Sequence, residues 1–105
     1  MSDAVIVLTT WPAEGAAVEL AQTLVTERLA ACVNVLAEMQ STYRWQGSVE
    51  VDRERQLVIK TTRAQLAALE ARLGALHPYQ LPEFLVLSVE AGSEGYLAWL
   101  RESTA

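Results

Sequence analysis

The sequence predicts an α+β sandwich of β-α-β-β-α-β order with a further helix at the C-terminal end. Three observations predict it. Apolar residues switch between continuous or period-two runs, which suit strands, and three-four spacing, which suits helices. The two central strand-like stretches are joined by one turn-forming pair, Gln46-Gly47, and so form a hairpin. The 105 residues are 51% apolar and 20% charged with only 5 Gly and 3 Pro, so one core and few irregular stretches are expected.

Residues 4–10, Ala-Val-Ile-Val-Leu-Thr-Thr, are apolar and β-branched, as in a strand buried on both faces. Trp11-Pro12 should end it. Pro12 and Glu14 suit a helix start, where a missing N–H costs nothing and the dipole favours negative charge. Ala17, Leu20, Ala21, Leu24, Val25 and Leu29 recur at helical spacing and predict a helix over about 13–29. Residues 31–46 read as one long strand, in which Ala37-Glu38 marks a bulge or bend. The return strand covers 48–61. Val49 and Val51 alternate there with Glu50 and Asp52 before the buried run Leu57-Val58-Ile59.

Thr62 and Gln65 fit a capping box for the helix that carries Leu66, Leu69, Leu73 and Leu76, and His77-Pro78 stops that helix. A loop over 79–83 leads to a last strand, Phe84–Glu90, and Ala91-Gly92 turns the chain. Ser93 should cap a final helix with Tyr96, Trp99 and Leu100 on one face. Split β-α-β units in this order give a ferredoxin-like antiparallel sheet with both main helices on one face. Residues 1–105 are expected to form a single domain.

Strand lengths imply company. The hairpin strands are about twice as long as the outer two, and at roughly 3.3 Å per residue the excess projects on the order of 20 Å. A lone two-stranded ribbon is marginal in water, yet this one carries Met39, Tyr43, Trp45, Val49 and Val51. The last strand belongs at the sheet edge and has no Lys or Pro guard. An obligate homo-oligomer is expected.

Composition excludes several classes. The formal charge is −5 with no basic cluster, which argues against nucleic-acid binding. One Cys excludes a disulfide framework and a Cys-rich zinc site within one chain. Met1-Ser2-Asp3 has no basic leader, and the run 4–8 is too short for a signal core or a membrane span, so a cytoplasmic protein without membrane contact is expected.

The segments Leu29–Asn34, Ser41–Gly47, Leu57–Thr62, His77–Glu83 and Tyr96–Leu100 stand in order and together resemble the CutA divalent-ion tolerance family across nearly the whole chain. The resemblance implies a ferredoxin-like protomer, a tight homotrimer built by inter-chain strand pairing, and a link to copper and other divalent metals, with no obligatory cofactor. Some members place copper-binding Cys or His in the first strand and just before the His-Pro-Tyr motif. The matching positions here are Thr9 and Leu76, which do not ligate copper, so only His77 survives of that set.

The remaining candidates follow from chemistry. Cys32 and His77 are the soft or borderline metal ligands apart from Met1 and Met39. Cys32 sits in an apolar run and reads as a core residue before a ligand, while His77 at a helix end reads equally as a cap and as a functional group. Tyr43, Trp45, Lys60, His77, Tyr79 and Glu83 match family motif positions. They suit either interface packing or an intersubunit cleft for a small anion, with Lys60 supplying the charge. Glu50, Asp52 and Glu54 form a charge comb, expected to be solvated, that could hold hard cations weakly.

The functional expectation is a non-enzymatic, trimeric metal-tolerance or metal-response protein. The alternative is a small-molecule or anion sensor like the PII signalling proteins, whose long mobile loop is here only Gln46-Gly47. An enzyme is not expected. A Cys32/His77 dyad lacks an orienting group, and the Gly-rich phosphate loop of acylphosphatases is replaced by Trp11-Pro12-Ala13-Glu14.

Overall fold

Alternating burial along the first strand builds the fold outward. The computed structural model describes residues 2–105. Its elements are β1 (Ala4–Pro12), α1 (Ala17–Thr26), β2 (Cys32–Trp45), β3 (Ser48–Thr62), α2 (Leu66–Leu76), β4 (Leu85–Ser88) and α3 (Glu94–Ser103), with a 3-10 turn over Arg63–Gln65. The strands form one antiparallel sheet in the order β2-β3-β1-β4. Val7 and Trp11 of β1 and Leu57 and Ile59 of β3 point to one face. They pack there against Leu20 and Leu24 of α1 and Leu69 and Leu73 of α2. The leucine stripes of both helices therefore share one core, as the periodicity predicts. Thr9 lies in the same row, and its Oγ1 is buried without a hydrogen-bond partner.

Of the helices only α3 touches the opposite face, at its Ala4–Thr62 end, and the rest of that face is free of helices. It carries Ile6 and Leu8 of β1, Val58 and Lys60 of β3, and Leu85 and Leu87 of β4, the last two 55% and 49% exposed. β2 and β4 are the sheet edges. The hairpin leaves the body after Glu54, the last residue of β3 to pair with β1. The segment beyond it is wet on both sides: Val49 is 64% and Val51 53% exposed, so their alternation does not mark a half-buried face within one chain. Gln46 (φ 49°) and Gly47 (φ 85°) both take left-handed backbone at the tip, the twist that a two-residue hairpin turn requires.

The bulge expected near Ala37-Glu38 is present. Val35 pairs with Leu57 and Glu38 with Arg55, so β2 spends three residues where β3 spends two. One extra residue inverts strand parity. Before it, Cys32 and Asn34 share the helix-free face with Lys60 and Val58. Beyond it, Met39, Ser41 and Tyr43 share that face with Glu54, Asp52 and Glu50.

Local details differ from the sequence expectation. β1 continues through Trp11-Pro12, because β4 covers β1 only from Val5 to Leu8 and the missing N–H of Pro12 falls where no strand lies alongside. α1 is shorter than predicted. Residues 13–16 make a turn in which Gly15 sits under the Trp11 indole, with no room for a Cβ. The helix ends in a Schellman arrangement, with Leu29 N–H bonded to Leu24 O, Arg28 N–H to Val25 O, and Arg28 at φ 63°. The capping box does not form. Gln65 Nε2 instead donates to Thr104 O at 2.7 Å and Thr62 Oγ1 meets Thr104 Oγ1, so both side chains anchor the end of α3. Ser93 precedes α3 without a side-chain cap bond. α3 seats Leu100 and Leu97 on Ala4 and Ala31, and leaves Tyr96 and Trp99, 5.2 Å apart, half exposed.

Candidate functional site

The hairpin root and the loop from Pro78 to Phe84 enclose a cleft of about 920 Å³ on the helix-free face. Its floor is Thr10 and Gln56; the hairpin wall carries Met39, Tyr43, Trp45 and Glu54, and the loop wall Tyr79 and Glu83. The parity change at the bulge is what brings Tyr43 and Trp45 to this wall.

Hydrogen bonds tie the two walls together. Tyr79 Oη donates to Glu54 Oε2 at 2.9 Å, and Gln56 Nε2 donates to Glu83 Oε2 at 2.9 Å and to Thr9 O at 2.7 Å. Tyr43 Oη donates to Asp52 within the hairpin. Each phenol thus sits on a carboxylate, which favours its neutral form. The Asp52 bond leads in pushing Tyr43 up to about 12. Burial, then Glu54, pushes Tyr79 well above the usual tyrosine range.

His77 lies beneath this layer, 9% exposed. β4 has ended before Thr10, so the Thr10 carbonyl has no strand partner, and His77 Nε2 supplies a donor at 2.7 Å. Nδ1 accepts the Tyr79 N–H at 3.1 Å. A carbonyl can only accept and an amide N–H only donate, so these two bonds fix the neutral Nε2–H tautomer. Burial lowers the His77 pKa and outweighs the Thr10 bond and the Glu54 charge, which raise it. The ring is wedged between Trp11 (4.4 Å) and Tyr79 (4.7 Å). His77 therefore anchors the loop to β1. The helix-capping reading is corrected in one respect: its backbone N–H bonds Leu73 O at the end of α2, while its ring serves β1.

Of the residues singled out from sequence, the cleft gathers Tyr43, Trp45, Tyr79 and Glu83, with His77 below. Lys60 is not among them. It pairs with Cys32 and Ile6, six residues along β3 from Glu54 and roughly 20 Å away at 3.3 Å per residue. An anion site charged by Lys60 of the same chain is therefore not formed, and the lining holds carboxylates without Lys or Arg. Cys32 is half-buried on β2 beside Lys60, so it too is remote from His77. Met39 is in the cleft, and Met1 lies outside the described residues. Among the described residues no three His, Cys, Asp or Glu side chains group as a metal would need. Glu54 departs from the solvated comb expected of it, being only 8% exposed. Gln56 is the member that sequence reasoning missed, and Asp52 and Glu54 were read only as part of a comb; their shared parity on β3 is the signal that joins all three to the site. Among the described residues no helix is long and apolar enough to cross a membrane.

Residues 5–103 match the family described as CutA1 divalent ion tolerance protein. The divalent-cation tolerance protein CutA of Thermus thermophilus is 48% identical over 99 residues, 94% of this chain and 96% of that one. The solved structure from that organism aligns with a TM-score of 0.93 at 47% identity, covering 97% of this chain and 99% of the other. An Arabidopsis thaliana relative named as chloroplastic is 41% identical over 95% of this chain and 55% of its own length. A structure from Archaeoglobus fulgidus described as periplasmic aligns at a TM-score of 0.92 and 27% identity, covering 97% of this chain and 99% of the other. The matched segment takes in every strand and helix of the fold, save the first residue of β1, and all of the cleft, and on that ground the chain belongs to the CutA1 divalent ion tolerance protein family.

Proposed function

We propose that the chain acts as a non-enzymatic homotrimer that takes up divalent cations, copper among them, weakly and reversibly as part of a tolerance response. The observation that carries the assembly is the helix-free sheet face, where Leu85 and Leu87 and the apolar residues beside them stand uncovered next to a protruding hairpin. Monomers rarely leave so continuous an apolar surface wet. Family membership supports the cation. Weak binding follows from the ligands available: His77 can coordinate only by giving up the bond to Thr10 O or to Tyr79 N–H, and Cys32 offers one thiol per chain. A cation would therefore draw on copies brought together, or on the diffuse attraction of an acidic assembly carrying −5 per chain. The lack of an oriented nucleophile and base supports a role without catalysis.

Light scattering after gel filtration should give the mass of three 11.5 kDa chains. Calorimetry with Cu(II) and Cu(I) should show reversible binding that Cys32→Ala and His77→Ala weaken. Chelation should leave mass and melting temperature unchanged, because no cation closes the fold. A folded monomer at micromolar concentration, or no heat of binding with either copper ion, would reject the respective half of this reading.

A further inference from the structure

Resting on the trimer proposed above, we infer that the copies join head to tail, with Lys60 of one chain entering the carboxylate-lined cleft of the next. Two charges stand uncompensated in the single chain. Glu54 is 8% exposed and its recorded contact is the neutral phenol of Tyr79. The ion pairs among the described residues are Arg53–Glu38, Arg72–Glu27 and Arg101–Asp3, and neither Glu54 nor Lys60 belongs to one. A buried carboxylate without a cation is costly unless something answers it, and Lys60, a half-buried residue between Ile6 and Cys32, carries a charge that no carboxylate of its own chain meets.

Parity then limits what can answer. On the helix-free face β3 carries Glu50, Asp52 and Glu54 at the hairpin end and Lys60 at the body end. Lys60 is the one cation among the strand positions of that face. Arg44, Arg53 and Arg55 stand on the other parity, Arg28 and Arg63 are engaged by Glu102 O and Ser88 Oγ, and Arg72 and Arg101 are paired. A flat sheet cannot fold Lys60 back over roughly 20 Å of its own strand. A second copy laid on the same face can present it. Between the charged ends run Ile6, Leu8, Val58, Leu85 and Leu87, the apolar strip such a contact would cover, and the Lys60 stem can lie along it. A ring of three has heterologous interfaces, so each cleft receives one ammonium and each Lys60 finds one cleft. The cleft is thus complete only in the assembly, where the lysine faces Glu54 and Glu83.

The test is a double-mutant cycle on the full-length chain, using Lys60→Met, Glu54→Gln and both together. Gln keeps an acceptor for Tyr79, so the protomer is retained. Trimer dissociation is followed by light scattering on dilution. Each single change should weaken the trimer, and the double should weaken it by at least about threefold less than the product of the two. In mixed trimers of isotope-labelled and unlabelled chains, a zero-length carbodiimide cross-link should join Lys60 to Glu54 or Glu83 of a differently labelled chain. A trimer whose factors simply multiply, with no such inter-chain link, overturns the Lys60 contact and leaves the assembly standing. A wild-type monomer overturns both.

Discussion

Replacing His77 with Phe isolates what the imidazole nitrogens do, because a ring of similar size keeps the stack between Trp11 and Tyr79. The change removes the bond to Thr10 O at 2.7 Å and the bond from Tyr79 N–H at 3.1 Å. Each made bond is worth about 1 kcal/mol net, and a buried group left unpaired costs about 1–3 kcal/mol. Two such losses amount to about 2–5 kcal/mol, less whatever water recovers at the loop. For a domain of this size that is a fall of about 10 °C or more in melting temperature, compared at one protein concentration so that assembly does not move the midpoint. The pH profile is the sharper reading. The folded-state pKa of His77 is lowered, so the unfolded chain binds the extra proton first as pH falls. The wild type should hold full stability above about pH 6.5 and lose it as pH drops through the folded-state value. His77→Phe should be less stable above that range and flatter below it. A variant that melts with the wild type at pH 8, or a wild type whose stability does not respond between pH 7 and 5, would refute the two-bond account. So would a nitrogen chemical shift showing His77 protonated on Nδ1.

Tyr43 and Tyr79 should ionise well above pH 10, Tyr43 at about 12, in a titration followed by tyrosinate absorbance. Because both folded-state values are raised, their contribution is complete below pH 10 and is lost as pH rises beyond it; three tyrosines titrating together near 10 would contradict the Asp52 and Glu54 contacts. Gly47→Ala places a Cβ at φ 85° and should cost about 1 kcal/mol in chemical denaturation, with no loss pointing to a different turn. Thr9→Val removes a buried hydroxyl that has no partner and keeps its shape. It should be neutral or stabilising by about 1 kcal/mol, and a clear loss of stability would mean that the hydroxyl is satisfied after all.

The parts of the fold legible in the sequence are those set by local pattern. The leucine stripes, the hairpin turn and the bulge near Ala37 all announce themselves within ten residues. What escaped depends on neighbours that arrive from afar. Thr62 and Gln65 look like a capping box, but α3 returns Thr104 to them, and its carbonyl and hydroxyl draw the Gln65 amide and the Thr62 hydroxyl away from the helix start. Arg28 closes α1 in left-handed backbone where Gly would have signalled the stop. Pro12 reads as a terminator, yet it is harmless because β4 is too short to pair there. In the cleft, the aromatic members were visible as motif residues. Glu54 was not, since an acidic comb looks solvated until the loop around Tyr79 closes over one tooth. Lys60 was grouped with them by motif, and only the register reveals that it belongs to the other end of the face.

The bulge on β2 sets a rule for how this chain can change its length. A single-residue insertion or deletion between the bulge and Trp45 would turn Tyr43 and Trp45 away from the cleft while leaving the hairpin pairable. Two such changes in β2 would restore them. Lineages and engineered variants should accordingly vary freely at the Gln46-Gly47 tip and only in even steps along β2, so that an alignment gap of one residue in that strand signals a protein whose cleft has been rebuilt or given up.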